Sequence, residues 1–296
     1  MTTFVQSLVD GIGRGSTYAL LALGITLIFG VMHLVNFAYA ESITVGAYVA
    51  YFLSTNGIHW WLIAPAIVLA AVLAAVASEL VAFRWVRNAS PFTLLLTSFA
   101  LERLSHAAWA VFVSPTKKSF AGPGWAFNTV EIGDVRFEVM DIVTIAVTAV
   151  VLALTAFVFR RTLFGLSVRG ASEDFDAARL MGVRANRVIV SAFAYAGLLA
   201  GVAAVLILMR SPSAEPALGS DWLIKAVVAA IIGGLGSFTG AVVGGLGLGL
   251  AEVMFRGYLP EGVWERLTDA FVFVLIAVLF IIRPQGLFTV RTAERV

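Results

Sequence analysis

The chain has 296 residues, of which 60% are hydrophobic and 13% are charged. Soluble domains carry about 25% charged residues, so this composition excludes a soluble domain and predicts a protein that resides in a lipid bilayer. Cysteine is absent, which excludes disulfides, thiolate metal sites and cysteine nucleophiles. The formal net charge of +2 is too small to indicate nucleic-acid binding.

Apolar segments of the length that crosses a bilayer, about 20 residues, recur along the whole chain. We predict nine spanning helices, with eight or ten as alternatives, at residues 12–32, 36–54, 61–83, 92–113, 141–159, 187–209, 222–236, 238–256 and 264–282. The seventh and eighth are short and joined by GGLGSFTG, so one re-entrant pair is an alternative. The alternating pattern of a lipid-facing barrel is absent from the sequence. These features predict an all-α, polytopic helical bundle in a single transmembrane domain, 1–296.

The basic residues of the loops predict the orientation of the chain. Eleven of the 20 Lys and Arg residues lie in one set of connections and eight in the other, and the richer set includes an arginine-dense loop at 160–187. We therefore expect the 160–187 loop and the C-terminus in the cytoplasm, and the N-terminus outside.

The segment 114–140 then becomes an outer loop. Its proline and glycine residues break helices, and its later part, VEIGDVRFEV, alternates apolar and polar residues around Gly-Asp. This pattern predicts a small β-hairpin on the outer face. The hairpin could receive a partner protein, and a simple connector is the alternative.

Within the 160–187 loop, the stretch DAARLMG indicates a short helix over 173–181. Acidic residues in the first turn suit the positive end of the helix dipole; they are Glu173, Asp174 and Asp176. Gly182 suits the position that ends a helix. Such a helix could dock into a groove of another protein through Leu180 and Met181. The alternative is an amphipathic helix that lies on lipid headgroups.

The same stretch resembles the EAA–x3–G loop of ABC importer permeases, with Asp176 in the place of the usual Glu. Four other segments are similar, in the same order, to branched-chain amino-acid permeases of the LivH type. They are GSTYALLALGITLIFGVMHLVNFAYAE (15–41), SELVAFRWVRNASP (78–91), AVVAAIIGGLGSFTGAVVGG (226–245) and RPQGLF (283–288). The resemblance covers essentially the whole chain and implies the fold of a type II ABC importer permease.

This resemblance implies a function and a set of partners. In the family the loop forms the coupling helix that seats in the ATP-binding subunit, which assigns coupling to Asp176, Ala177, Ala178, Leu180, Met181 and Gly182. A periplasmic binding protein delivers the substrate, and a second, LivM-type permease completes the pathway in the bacterial inner membrane. The chain lacks the G-x4-G-K-[ST] motif, so we expect ATP to bind to the partner subunits. We expect no enzymatic activity, cofactor or metal site in this chain.

One group of pathway candidates lies at the start of the second predicted span. The family's NFAHGE reads NFAYAE here, with Tyr39 in the place of His and Ala40 in the place of Gly. The resemblance makes Asn36, Tyr39 and Glu41 candidates for the pathway or its gate. The alternative for Glu41 is a carboxylate at the positive end of the second helix.

A second group of candidates lies near the middle of the 92–113 span. Glu102 and His106 are four residues apart and share one helix face, with Arg103 beside them. An unpaired charge at this depth costs about 2.5–3.5 kcal/mol, so we expect these groups to pair with one another or with a neighbouring helix. They either contact the substrate's ammonium and carboxylate or fix helix packing.

Glycines four residues apart predict close helix packing near the 226–245 motif. They are Gly236, Gly240 and Gly244, with Gly11/Gly15 and Gly245/Gly249 as further pairs.

The leading interpretation is the transmembrane permease subunit of an ATP-driven importer of branched-chain or related amino acids. An ABC permease for urea or another small solute is an alternative within this class. The rival from another class is an ion-coupled secondary transporter in which Glu102 and His106 relay a proton. That rival assigns no role to the DAARLMG loop.

Overall fold

The computed structural model describes residues 2–87, 89–132, 135–173 and 175–258, together with 270, 274, 277–278, 281 and 286–288. In this part of the chain the α-helices are α1 Thr2–Met32, α2 Ala40–Thr55, α3 Trp60–Ser78, α4 Arg84–Val86, α5 Pro91–Phe112, α6 Val139–Arg161, α7 Leu163–Glu173, α8 Phe175–Leu180, α9 Ala185–Arg210, α10 Leu218–Gly233 and α11 Phe238–Tyr258. The short strands are β1 Lys118–Ser119, β2 Thr129–Ile132, β3 Val135–Glu138 and β4 Ser213–Ala214.

The predicted helical bundle is confirmed. Among the described residues, five helical segments are long and apolar enough to cross a membrane, namely Phe4–Met32, Trp60–Val86, Val139–Arg161, Asn186–Arg210 and Phe238–Gly257. Helices α2, α5 and α10 lie at the predicted spans 36–54, 92–113 and 222–236 but are not among these five; α2 and α10 have only 16 residues each. The predicted span 264–282 lies almost entirely outside the described residues.

Helix α1 forms the centre of the bundle. Its residues 15–28 are all buried, because α11, α9, α10 and α6 pack around it. A helix that is apolar on every side must be enclosed by other helices or by lipid, and here other helices enclose it.

Glycines set the closest helix contacts. A Cβ atom at Gly249 of α11 would overlap the backbone of Gly15 in α1, and one at Gly244 would overlap the carbonyl oxygen of Ala229 in α10. Gly240 likewise meets the backbone of Gly233. Gly236 does not take the predicted helix-packing position. It lies in the turn between α10 and α11, with a φ of 90°.

Residues 286–288, the described part of RPQGLF, lie against this same turn. The backbone N–H of Leu287 donates to the carbonyl of Ile232 at 2.9 Å, and that of Phe288 donates to Gly233 at 3.0 Å. Gly286 has a φ of 78° and lies against the backbone of Gly234. Residues 286–288 and the end of α10, which are far apart in the sequence, are therefore joined by backbone hydrogen bonds.

The two ends of the bundle carry different structures. The predicted hairpin is confirmed: β2 pairs antiparallel with β3, with Val130 opposite Phe137. Helix α6 begins directly after this hairpin and ends next to α7, and α9 runs back from α8 to a segment, β4, that pairs with β1. The hairpin and the α7–α8 segment thus lie at opposite ends of the bundle.

Candidate functional site

Helix α8 ends in a Schellman motif. The N–H of Gly182 donates to the carbonyl of Arg179, and that of Val183 donates to Ala178, both at 3.0 Å. Gly182 has a φ of 85°, a conformation that glycine adopts without steric strain. The predicted helix end at Gly182 is confirmed.

The predicted start of this helix at residue 173 is wrong. An additional helix, α7, begins at Leu163 and has Glu173 as its last residue, so Glu173 does not lie in the first turn of α8. Residue 174 lies outside the described residues, as do the side chains of Asp176 and Ala177. The predicted roles of these three positions stay predictions.

Helix α8 has one buried side and one exposed side. Ala178 is buried, whereas the side chains of Leu180 and Met181 are 90% and 86% exposed. Two neighbouring apolar side chains with this exposure form a small projecting surface, which we call the α8 tip (Leu180 and Met181). An apolar projection beside charged residues can insert into an apolar groove of a partner.

A buried ion pair and a hydrogen bond connect the C-terminal end of α3 to the start of α9. The fully buried carboxylate of Glu79 pairs with the Arg87 guanidinium. Arg87 Nη1 also donates to Asn186 Oδ1 at 2.5 Å. Glu79 begins a π-helical segment, Glu79–Phe83, and such segments occur frequently at functional sites. The 78–91 segment is therefore bound to the helix that directly follows α8.

Residues of the NFAYAE segment, 36–41, make a helix cap and a buried packing contact. Asn36 caps the short helix Phe37–Tyr39, and its Oδ1 accepts the N–H of Ala38 at 3.0 Å. Tyr39 is buried, and its ring end fills the space that a side chain at Gly24 would occupy. The segment joins α1 to α2 in a fixed geometry.

Glu41 and Glu102 are both buried, in α2 and α5. Ser105 of α5 donates to Glu41, and Ser220 of α10 donates to Glu102 Oε1 at 2.6 Å. Arg103 Nε lies 3.0 Å from Glu102 Oε2. We call this set the α5 polar seam (Glu41, Glu102, Arg103, Ser105 and Ser220); it joins α5 to α2 and α10.

Of the predicted groups, His106 differs from expectation and Glu41 agrees with its stated alternative. His106 makes no hydrogen bond or ion pair with the described residues, so it does not join Glu102. Glu41 lies in the first turn of α2, as the capping alternative required, but its carboxylate also bridges to α5. Sequence spacing showed that Glu102 and His106 share a helix face and could not show the partner across the interface.

The sequence analysis missed a charged cluster inside the bundle. Glu252 of α11 is fully buried; its carboxylate accepts from Tyr18 Oη at 2.6 Å, Lys225 Nζ at 3.0 Å and Arg14 Nη1 at 3.1 Å. The count of basic residues assigned Arg14 and Lys225 to the outer connections, although the predicted spans 12–32 and 222–236 include them; both lie within helices, α1 and α10. Glu252, an ionisable residue within an apolar segment, was the signal that could have revealed the cluster.

A second ion-paired cluster lies beside the first. Arg210, at the end of α9, pairs with the buried Asp141 of α6 and with Glu138 Oε2 at 3.0 Å. No group of three or more His, Asp or Glu residues in the described ranges is arranged to hold a metal ion.

Comparisons with known proteins agree with this architecture. The family described as branched-chain amino acid transport system / permease component matches residues 7–282. The BraD permease protein of the high-affinity branched-chain amino acid transport system of Pseudomonas aeruginosa is 32% identical over 308 residues, covering 99% of this chain and 98% of that protein. The corresponding LivH protein of Escherichia coli K12 is 32% identical over 311 residues, with the same coverage of 99% and 98%.

A solved structure supports the fold. An inward-facing conformation of a metal-chelate type ABC transporter matches with a TM-score of 0.53 at 14% identity, covering 94% of this chain and 85% of that chain. At this identity the likeness concerns the fold alone. The match over residues 7–282 and the full-length relatives decide the family: the chain belongs to the permease components of branched-chain amino acid transport systems.

Proposed function

We propose that this chain is the membrane-spanning permease subunit of an ATP-driven importer of branched-chain amino acids. Family membership over nearly the whole chain supports the transport class. The α8 tip projects from the protein at the position of the family's coupling loop. This observation supports an energy source in a separate subunit. ATP binds to partner subunits, and this chain supplies the receiving surface.

The contacts around α8 indicate how a motion of the ATPase reaches the bundle. The partner ATPases close on ATP and displace α8. The displacement passes directly into α9, which follows α8 in the chain, and through the Asn186–Arg87–Glu79 contacts into α3. Helices α3 and α9 pack against each other, so the two routes move one unit. Alternating exposure of the pathway then follows from rearrangement of this unit against the rest of the bundle.

The outward surface of α5 fits a second permease subunit, of the LivM type. Arg103 is 59% exposed near the middle of this 22-residue helix, where an arginine in contact with lipid is unfavourable. Neighbouring exposed side chains are apolar, as Leu96 and Leu104 are. We assign the α5 surface to the subunit interface and the exposed apolar surfaces of α3 and α6 to lipid.

The orientation of the chain follows from the assignment of α8 to the ATPase subunits. The α7–α8 end faces the cytoplasm, where the ATPases reside, and the hairpin end faces the periplasm. There β2–β3 lies beside the N-terminal part of α1 and offers a surface for a periplasmic binding protein. The N-terminus lies outside and the C-terminus lies in the cytoplasm of a bacterial inner-membrane protein.

The ion-coupled alternative requires a proton relay through Glu102 and His106. Among the described residues, Glu102 instead contacts Ser220 and Arg103, and His106 contacts neither carboxylate of the α5 polar seam. The relay is not assembled, so the ATP-driven function is favoured.

The test is recovery of partner ATPases with tagged protein from native membranes in mild detergent. We expect Leu180→Glu to reduce the recovered ATP-binding subunits at least about tenfold, because a buried hot-spot contact contributes about 2 kcal/mol or more. The matched control is Leu163→Glu, since Leu163 is also exposed but lies in α7. Equal recovery with Leu180→Glu and with the unmodified chain would remove the docking role of α8.

A further inference from the structure

This single chain lines two adjoining cavities at the end of the bundle that carries the hairpin. The first has a volume of about 390 Å³ and is bordered by hairpin residues such as Thr129 and Glu138. The second, which we call the inner cavity, has a volume of about 410 Å³ and lies between α1, α6, α9 and α10. Arg14 and Arg210 line both, so the two cavities adjoin at these two side chains.

The inner cavity combines charges of both signs with apolar walls. Arg14, Arg210 and Lys225 contribute cationic groups, and Asp221 contributes a carboxylate. The side chains of the three cations are 26–33% exposed, so they retain surface that a ligand can reach while they pair with the anions behind them. Leu206, Ile207 and Trp222 supply apolar surface on the same cavity.

The ion pairs hold the cations in place at the cavity wall. Glu252 fixes Arg14 and Lys225 from behind, and Asp141 fixes Arg210. A guanidinium has five N–H donors in a fixed plane, so a pair with one carboxylate oxygen leaves donors for a second carboxylate. Preorganised donors of this kind bind an incoming carboxylate with little loss of side-chain entropy.

From this arrangement we infer that the inner cavity is a binding site for a zwitterionic α-amino acid with a branched apolar side chain. The substrate carboxylate contacts Arg14, Arg210 or Lys225, its ammonium contacts Asp221, and its side chain lies against Leu206, Ile207 and Trp222. The volume lies within the usual range for small-molecule sites, about 300–1,000 Å³. The inference rests on the proposed function and adds a site within one permease subunit, reached from the hairpin side.

Because this chain contains no cysteine, an introduced thiol is the only one in the chain, and its labelling can be read on the separated chain. Thr144→Cys places a thiol in the wall of the inner cavity. Thr148→Cys is the matched control, since Thr148 is buried one turn further along α6 and does not border either cavity. Ser211→Cys gives a second, more accessible thiol on the cavity.

The complete transporter is placed in right-side-out vesicles and treated with a membrane-impermeant thiol reagent, with and without L-leucine. We expect leucine to slow labelling of Thr144→Cys and Ser211→Cys and to leave Thr148→Cys unchanged. 4-Methylpentanoate, which lacks the ammonium, and 3-methylbutylamine, which lacks the carboxylate, should each protect about tenfold less well, because each loses a charge-assisted hydrogen bond. In the Asp221→Asn background, leucine and 4-methylpentanoate should protect equally.

ATP-dependent leucine uptake by the same vesicles separates the two claims. Uptake without protection at either thiol overturns the cavity site and leaves the proposed function standing. Protection by leucine in a complex that does not take up leucine supports the site and contradicts the proposed function. Equal protection by leucine and by its two analogues overturns the assignment of a zwitterion.

Discussion

Glu252 shows how an ionised group is retained inside an apolar bundle. Its carboxylate is fully buried and accepts hydrogen bonds from side chains of α1 and α10, so the energy of removing it from water is offset by two cations and a hydroxyl. Arg14 and Tyr18 lie four residues apart in α1 and reach the same carboxylate. Removing this one charge takes the Glu252 carboxylate away from both Arg14 and Lys225.

We therefore predict that Glu252→Gln lowers the stability of the folded protein by about 3 kcal/mol, the loss expected when one partner of a buried ion pair is removed. Glu138→Gln is the control, since Glu138 is 57% exposed and pairs with Arg210 at the surface, where an ion pair contributes about 0–1 kcal/mol. The measurement is the apparent melting temperature of the purified protein in detergent. Equal shifts for the two variants would contradict the structural role of Glu252.

Helix packing depends on where glycine allows backbones to touch. Helix α11 contacts α1 and α10 through different glycines: Gly245 and Gly249 meet α1, and Gly240 and Gly244 meet α10. Small residues at this spacing let two helices approach closely without a hydrophobic driving force between them. The α10–α11 hairpin is thereby fixed to the central helix on one side and to its own partner on the other.

This packing predicts opposite effects for two glycines of α11. Gly244→Ala should destabilise the protein by about 1–3 kcal/mol, the range for overpacking, because the added methyl meets the carbonyl oxygen of Ala229. Gly247→Ala should be neutral or stabilising by up to about 1 kcal/mol, since no atom lies within 4 Å of the added carbon and alanine is the better helix former. Both are measured as apparent melting temperatures, and a destabilising Gly247→Ala with a neutral Gly244→Ala would contradict the contact.

At the scale of the whole molecule, the features that depend on local sequence signals were predicted, and the pairings between distant segments were not. Apolar runs predicted the helices, Gly182 predicted the end of α8, and the Gly-Asp between alternating residues predicted the hairpin. Each of these signals lies within a few residues of the feature that it determines.

The missed features depend on contacts between distant parts of the chain. Arg14 and Glu252 pair across 238 positions, and Leu287 and Phe288 pair with the end of α10. The predicted spans 12–32 and 222–236 include Arg14 and Lys225, yet the charge count assigned both to outer connections because they lie near the predicted span ends; in the structure α1 starts at Thr2 and α10 at Leu218, so both residues lie within helices. A count of basic residues cannot detect a cation whose anion lies on another helix.

The central claim is that this chain transports branched-chain amino acids with energy from ATP bound elsewhere. The most direct measurement is leucine uptake by liposomes that contain the purified complex, with ATP on the ATPase side, compared with liposomes that carry a proton gradient and no ATP. The account predicts uptake that requires ATP and disappears when the ATPase subunits are left out. Uptake driven by the proton gradient alone, by this chain without its partners, would contradict it.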